Sequence, residues 1–303
     1  MRIGVMSGAT QGADGSLDGL VKQAQDLEAR GFHAVWMANI FGLDAITTQA
    51  IVGRETKQIE LGTAVVPTYP RHPFAIAQQA LTTAAASGGR FTLGIGLSHQ
   101  VVIENMMGLS YAKPASHMRE YMAVLGPLLR GEPAAYEGNE FKVNGALEIP
   151  EAGTVPIVIA ALGDRMLRIA GETSEGTILW MTGPATIESH IIPKITAAAT
   201  EAGRAAPRVV AGFPIVLTND TEHAKAHIAK ALAVYGQLPS YRAMLDKEGA
   251  GGAADVAIAG DEKVLDAALD RLRDIGVTDF NAAIMPLDEE SEKRTLKYLE
   301  SRL

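Results

Sequence analysis

The stretch Ile59-Glu-Leu-Gly-Thr-Ala-Val-Val-Pro-Thr-Tyr-Pro-Arg-His-Pro-Phe-Ala-Ile-Ala-Gln-Gln-Ala-Leu81 decides how the rest of the chain is read. Ile59 to Val66 has the apolar character of a buried strand, with the small pair Thr63-Ala64 where bulk is expected. The pattern breaks at Pro67, Pro70 and Pro73 and restarts as an Ala/Gln-rich helix. Proline has no N–H for a ladder and does not fit inside a helix, so these residues confine the turn to a rigid loop. The loop carries Arg71 and His72 at a strand exit, the end at which βα barrels do their chemistry.

The same strand-then-helix alternation extends in both directions, as expected for βα units on a parallel sheet. Upstream strands are Ile3–Met6 and Ala34–Ala38; downstream come Arg90–Gly96, Val155–Ala161, Gly176–Met181, Arg208–Leu217 and Asp279–Met285. Ser16 or Asp18 caps a helix running to Arg30, with Leu20, Val21, Ala24 and Leu27 on one face and Gly31 as its stop. Further helices are expected over Leu43–Thr56 and around Met118–Arg130. Gly131–Ile149 breaks the rhythm as a short hairpin turning at Gly138-Asn139. Gly236–Gly260 reads as an irregular Gly/Ala-rich stretch, with Tyr235, Tyr241 and Arg242 near its start, of a length typical of lids. The expected fold is an α/β (β/α)8 TIM barrel, one domain over residues 1–303, with insertions after strands 4 and 7.

Composition removes whole classes of function. The net charge of −8 and the lack of a basic run argue against nucleic acid or an anionic membrane as partner. There is no cysteine, so disulfides, thiolate metal sites and cysteine nucleophiles are excluded. Met1-Arg-Ile-Gly-Val-Met-Ser runs straight into a strand with no apolar signal region. No apolar stretch reaches the roughly 18 residues of a spanning helix. A cytoplasmic protein acting on a small molecule is the expectation.

The strand exits gather Ser7, Asn39, Thr63-Ala64, Ser98-His99, Ala161-Leu162-Gly163 and Trp180-Met181-Thr182-Gly183. This floor is small and poor in carboxylates, which suits a flat cofactor approached by main chain better than a metal or paired acids. No metal site is expected: there is no His-x-His at a strand end. His223 and His227 are four apart, without the Glu of a zinc-protease helix, and read as a solvated face. Gly94-Ile-Gly96 lies inside a strand and reads as room for close approach.

His99 follows Gly94-Ile-Gly-Leu-Ser98 directly, so its ring is expected to point into the barrel mouth. It serves either as a structural histidine bonding a loop carbonyl or as a donor or proton relay to cofactor and substrate. Gly163-Asp164-Arg165-Met166 opens a helix whose free amides form a seat for phosphate, unless the Asp164 carboxylate takes those amides itself. Trp180 reads equally as barrel filling or as a cofactor contact.

Five segments, in order and spacing, resemble the luciferase-like flavin and deazaflavin oxidoreductases, especially the branch using coenzyme F420. They are Leu61-Gly-Thr-Ala-Val65 with Arg71-His-Pro73, Arg90-Phe-Thr-Leu-Gly-Ile-Gly-Leu-Ser-His99, Val155-Pro-Ile-Val-Ile-Ala-Ala161, Gly176-Thr-Ile-Leu-Trp-Met-Thr-Gly-Pro184 and Asp255-Val-Ala-Ile-Ala-Gly-Asp-Glu262. The resemblance implies a deazaflavin ring in the barrel mouth, backed by a third-strand bulge with a non-proline cis bond at Ala64–Val65. Thr63, Ser98 and His99 would border the ring, and Asn39 stands where some relatives carry an acidic residue. The phosphate tail would extend toward Ala161-Leu162-Gly163 and Thr182-Gly183.

Two departures bear on mechanism. The sugar-phosphate dehydrogenases of this branch use a His at the second strand and a Glu after the fourth, where this chain has Ile40 and His99. Leu162 replaces a glycine of many relatives. The resemblance therefore implies hydride transfer between F420 and a small organic compound other than a sugar phosphate, with His99 as the catalytic candidate. The alternatives are an FMN-dependent monooxygenase of the same fold and a non-catalytic deazaflavin-binding protein. Relatives are often homodimers.

Overall fold

In the computed structural model, which describes residues 1–8 and 15–303, eight parallel strands close on themselves. They are β1 (Arg2–Ser7), β2 (Ala34–Met37), β3 (Glu60–Thr63), β4 (Phe91–Gly96), β5 (Ile157–Ile159), β6 (Gly176–Trp180), β7 (Arg208–Leu217) and β8 (Asp279–Ile284). Each pairs with the next in the chain, and closure is made by β8 on β1, with Arg2 opposite Asp279 and Val5 opposite Ala282. The expected (β/α)8 barrel is the observed fold. Among the described residues no helix is long and apolar enough to cross a membrane.

The helices form where the pattern places them. Ser16 Oγ accepts from the Gly19 amide at 3.1 Å to start α1 (Leu17–Ala29), which buries Leu20, Ala24 and Leu27. Asp44 caps α2 (Ala45–Glu55) through the Thr47 amide at 2.9 Å, so the helix begins after Leu43 rather than at it. His72 caps α3 (Pro73–Ala86), which makes Pro73 its first residue. That proline sits where its missing N–H costs nothing. Pro67 likewise lies in a two-residue strand, Val66–Pro67, opposite Ile95 and Gly96 of β4. Only Pro70 of the three is therefore in the loop proper, and the single strand expected over Ile59–Val66 is two short strands separated by a bulge.

After α4 (Pro114–Leu129) the expected hairpin is present: Ala134–Glu137 and Lys142–Gly145 pair antiparallel. The next helices are α5 (Asp164–Thr173) and α6, in which Pro184–Thr186 runs through a π-helical turn, Ile187–Ile191, into Ile192–Glu201. α7 (Thr221–Ala231) follows β7; the solvated-face reading holds for His223, which is exposed on it, while His227 is half-buried. The stretch read as irregular is largely ordered. It contains α8 (Pro239–Glu248) and a short strand, Ile258–Gly260, that pairs with the end of β7. Leucine, methionine and tyrosine supplied helical content that the flanking glycines concealed. Helices α9 (Glu262–Asp274) and α10 (Glu289–Glu300) complete the chain.

The floor of the barrel is ionic. Arg208, first residue of β7, reaches Asp279 with Nε at 2.9 Å and Nη2 at 2.6 Å, and Glu60 with Nη1 at 2.6 Å. Arg2 adds a contact to Glu60 at 2.6 Å, and Thr92 donates to Glu60 at 2.8 Å. Above them the fully buried Trp36 ring has its centroid 5.2 Å from the Arg208 guanidinium, in cation–π contact. Replacing Arg208 by Ala leaves the inward carboxylates of Glu60 and Asp279 with only the half-buried Arg2 between them. The expected loss is about 3–5 kcal/mol of unfolding free energy, measured by urea denaturation. An unchanged midpoint would show that the network is dispensable.

Candidate functional site

The opposite end of the barrel, where the strands exit, is built around the bulge between β3 and Val66. The Thr63 hydroxyl donates to the Gly94 carbonyl and accepts from the Gly94 amide, both at 2.8 Å. It thus replaces the ladder bonds that the bulge interrupts. A Cβ on Gly94 would run into the Thr63 carbonyl, so a glycine is needed for the two strands to approach here. The Ala64–Val65 bond is cis, at the position the family resemblance implies. Ala64 and Val65 are half-buried against Trp36, Val158, Ile178 and Val210, and form an apolar backing for the mouth. Thr63 itself is fully buried with its hydroxyl committed to Gly94, so it supports the bulge and presents no polar group to a ligand.

Asn39 lies at the exit of β2, and its Oδ1 accepts from the Ala45 amide at 3.0 Å. Its carbonyl oxygen is thereby tied to the start of α2. On the neighbouring exit, Ser98 has a φ of 60°, and its carbonyl accepts from the Tyr111 hydroxyl at 3.3 Å. The His99 carbonyl starts the following π-helical turn by accepting from the Val102 and Ile103 amides.

The half-buried His99 ring stands 5.6 Å from the Tyr241 ring, centroid to centroid, and makes no hydrogen bond to another described residue. It is not, therefore, a histidine fastened to a loop carbonyl among those residues. Burial pushes its pKa below the ordinary value. Tyr241 belongs to α8, Tyr235 meets it edge-on at 5.3 Å, and Tyr235 in turn meets Trp180 at 6.2 Å. A chain of rings thus spans the mouth from the β4 exit to the β6 exit. Trp180 is half-buried in this chain, and its Nε1 has no hydrogen-bond partner among the described residues.

At the β5 exit, Ala161 is buried, Leu162 half-buried and Gly163 exposed. Gly163 is the N-cap of α5, with no side chain bonded across the helix start. Asp164 does not occupy the amides. Its carboxylate turns to Lys194 Nζ at 2.5 Å, and that contact holds its pKa low, with His190 and Lys247 contributing charge. His190 Nε2 lies 2.8 Å from the Leu162 carbonyl. At the next exit Thr182 is buried, and its Oγ1 has no partner among the described residues. The helix start beyond Gly183 is taken: Glu248 accepts from the Ala185 amide at 3.1 Å and the Thr186 amide at 2.7 Å.

Three groups escaped the sequence reading. Glu248 lies in the stretch taken as irregular. His190 and Lys194 sit on α6, in no motif. The third is a chain around the buried His117, whose Nδ1 lies 2.7 Å from the exposed Glu140 and Nε2 3.1 Å from the buried Thr68, with its ring stacked on Tyr69 at 4.0 Å. These partners are separated by at least 20 residues along the chain, and no local spacing announces them.

The burial of His99 yields a titration prediction. Its ring is neutral in the folded protein over the physiological range, and its proton is taken up only below the unfolded value near 6.5. Because the folded value is depressed, this group's contribution to stability is full above the unfolded value and declines as pH falls below it. NMR titration of the ring protons checks the sign; a midpoint at or above that of a free histidine would refute the burial argument.

With this geometry in view, comparison with known proteins is informative. The luciferase-like monooxygenase family profile matches residues 1–278. The 5,10-methylenetetrahydromethanopterin reductase of Methanolobus tindarius is 32% identical over 208 residues, covering 68% of this chain and 63% of that protein. The chain thus spans less than two thirds of that relative's length. The reductase of the same name from Archaeoglobus fulgidus is 31% identical, over 74% of this chain and 68% of its own. Among solved structures, the coenzyme F420-dependent tetrahydromethanopterin reductase of Methanopyrus kandleri superposes over 100% of this chain and 98% of its own, with TM-score 0.77 and 21% identity. The barrel, the third-strand bulge and the profile match agree, and the chain belongs to the luciferase-like monooxygenase family.

Proposed function

We propose that this protein is a coenzyme F420-dependent oxidoreductase that moves hydride between the deazaflavin and a small organic substrate, such as an activated alkene, imine or carbonyl. The observation that carries the reading is the β5 exit. There an uncapped helix start at Gly163 stands beside Lys194 and His190, with Asp164 turned aside. Backbone donors with the Lys194 ammonium beside them would form a seat for a phosphate monoester or diester. The reductases to which the chain is similar, one of them solved as an F420-dependent enzyme, supply the choice of cofactor.

The residues fit such a group. Ala64 and Val65 would back a flat ring with apolar surface, and the buried Thr182 Oγ1 offers a hydroxyl without a protein partner at the same mouth. Ala161, Leu162 and Gly163 would follow the tail, with Thr182 and Gly183 as the adjoining wall. When bound, F420 supplies the hydride acceptor or donor. The chain's own contribution is to exclude water with the ring chain over the mouth and to hold a proton at His99. As a neutral imidazole, His99 carries one N–H to give and one nitrogen to receive, which suits proton delivery in the reducing direction. Ile40 and His99 stand where sugar-phosphate dehydrogenases carry their His and Glu, so another substrate class is favoured.

The second reading is an FMN-dependent monooxygenase, since the oxygenating constituent of 3,6-diketocamphane monooxygenase from Pseudomonas putida, solved in complex with FMN, shares the fold with TM-score 0.79 and 15% identity. Fluorescence titration of the protein with F420 and with FMN separates the two. Tighter binding of F420, with little oxygen consumption by the reduced complex, is expected; tighter FMN binding would reverse the assignment. With a substrate in hand, His99→Gln should lower turnover by ~10²–10⁴-fold while cofactor affinity is retained. A fall in affinity with turnover intact would make His99 a ring-positioning residue. Tight F420 binding without hydride transfer across a broad acceptor panel would instead mark a non-catalytic binding protein.

A further inference from the structure

Between the ionic floor and the mouth, two side chains carry polar atoms that neither region uses. Trp36 of β2 and Asn281 of β8 are fully buried. Neither the Trp36 Nε1–H nor either polar atom of the Asn281 amide has a hydrogen-bond partner among the described residues. Asp279, two residues before Asn281 on β8, points inward to Arg208. Side chains alternate along a strand, so the Asn281 amide also points into the barrel. Its neighbours in register are Gly4 on β1 and Gly212 on β7, so both flanks of the amide lack a side chain of their own.

The two indoles fill those flanks with different edges. A Cβ on Gly4 would stand 3.2 Å from Trp36 Cδ1, the atom bonded to Nε1, whereas a Cβ on Gly62 would strike the other edge of that ring at Cε3 and Cζ3. Trp36 therefore turns its pyrrole edge toward Gly4. A Cβ on Gly212 would stand 3.1 Å from Trp180 Cε3 and 3.5 Å from Met6 Cε, so that flank is closed by carbon. The Trp36 N–H and the Asn281 amide thus flank the same glycine without bonding to each other. Together they offer an indole N–H, a carbonyl oxygen and an NH2 group, so an occupant must both accept and donate. The charges beneath are balanced, with Glu60 and Asp279 held between Arg208 and Arg2, which favours neither a cation nor an anion. Water is the small neutral molecule with both capacities, and three protein partners are the usual complement of a buried one.

We propose that the barrel core is a binding site for a structural water that bridges Trp36 Nε1 and the Asn281 amide in front of Gly4. The water accepts from the indole N–H and donates to the Asn281 oxygen, which links β2 to β8 across β1. Ala64 and Val65 pack against the same indole, so the water steadies the footing of the apolar wall at the mouth. Gly4 is the residue that leaves room for the bridge, since its Cβ would also stand 2.9 Å from the Ala34 carbonyl oxygen. The site needs no cofactor and is the same whichever ligand the mouth takes.

The chain has two tryptophans, so the full-length protein labelled with 15N-tryptophan gives two indole N–H signals, and Trp180→Phe tells them apart. Paired NOESY and ROESY spectra then read the contact with water. The Trp36 Nε1–H is expected to show a cross-peak to water whose sign is opposite in the two spectra, the mark of a long-lived neighbouring water. No cross-peak, or one of the same sign in both, which marks proton exchange, would overturn the site. Asn281→Leu, which removes both polar atoms of the amide, should abolish the cross-peak. A cross-peak that persists at full intensity in that variant would strike Asn281 from the site and overturn the bridge. Where Asn281→Leu does not fold, the Asn281 Nδ2 protons of the unaltered protein carry the test. They should show the same sign-inverting cross-peak to water, and its absence there would overturn the bridge as well.

Discussion

Two carboxylates held between the guanidinium groups of Arg208 and Arg2 at the bottom of the barrel are the constraint on which the upper end depends. Arg208, Glu60 and Asp279 are the first residues of β7, β3 and β8, and Arg2 joins from β1. Burial by itself penalises the Glu60 carboxylate, and Arg208, first among its partners, brings its pKa below the ordinary range all the same. With four strands tied at the floor and Trp36 packed above, the barrel interior is filled from below. The strand exits are then free to carry small residues and irregular backbone, because closure does not depend on them.

The mouth shows how that freedom is used. The bulge after Thr63 forfeits ladder bonds, and the Thr63 hydroxyl recovers them from Gly94. The result is an apolar, backbone-rich wall at Ala64-Val65 with no polar side chain aimed outward. Its polar groups are placed at the side, around the start of α5, where the Lys194–Asp164 pair and His190 flank Gly163. Such a division, apolar at the centre and polar at the edge, is what the proposed ligand with a flat ring and an anionic tail would require.

Much of this architecture was legible in the chain. Each barrel strand was found from its apolar run, since strands buried on both faces read as continuous hydrophobic segments. The hairpin at Gly138-Asn139 and the cap at Ser16 followed from turn and capping chemistry, which is local. The resemblance placed the cis bond at Ala64–Val65. By contrast, α8 was hidden, because a ten-residue helix with glycine-rich flanks has too little periodicity to stand out against its surroundings. The role given to Thr63 also changed: a small polar residue at a strand end reads as ligand-facing until its hydroxyl is seen to be spent on Gly94.

Sequence by itself determined the class of fold, the end of the barrel at which chemistry happens, and the small, carboxylate-poor character of that end, all of which depend on periodicity and composition along a few adjacent residues. Tertiary structure alone decided which donors remain free. Asp164 was equally able to cap α5 or to leave it open, and Lys194, 30 residues later, settled the matter by drawing the carboxylate away. The start of α6 is filled by Glu248, 62 residues beyond Thr186. Hydrogen bonds and ion pairs act over a few ångströms regardless of separation along the chain, so competition for a helix start is resolved only when the barrel brings the competitors together.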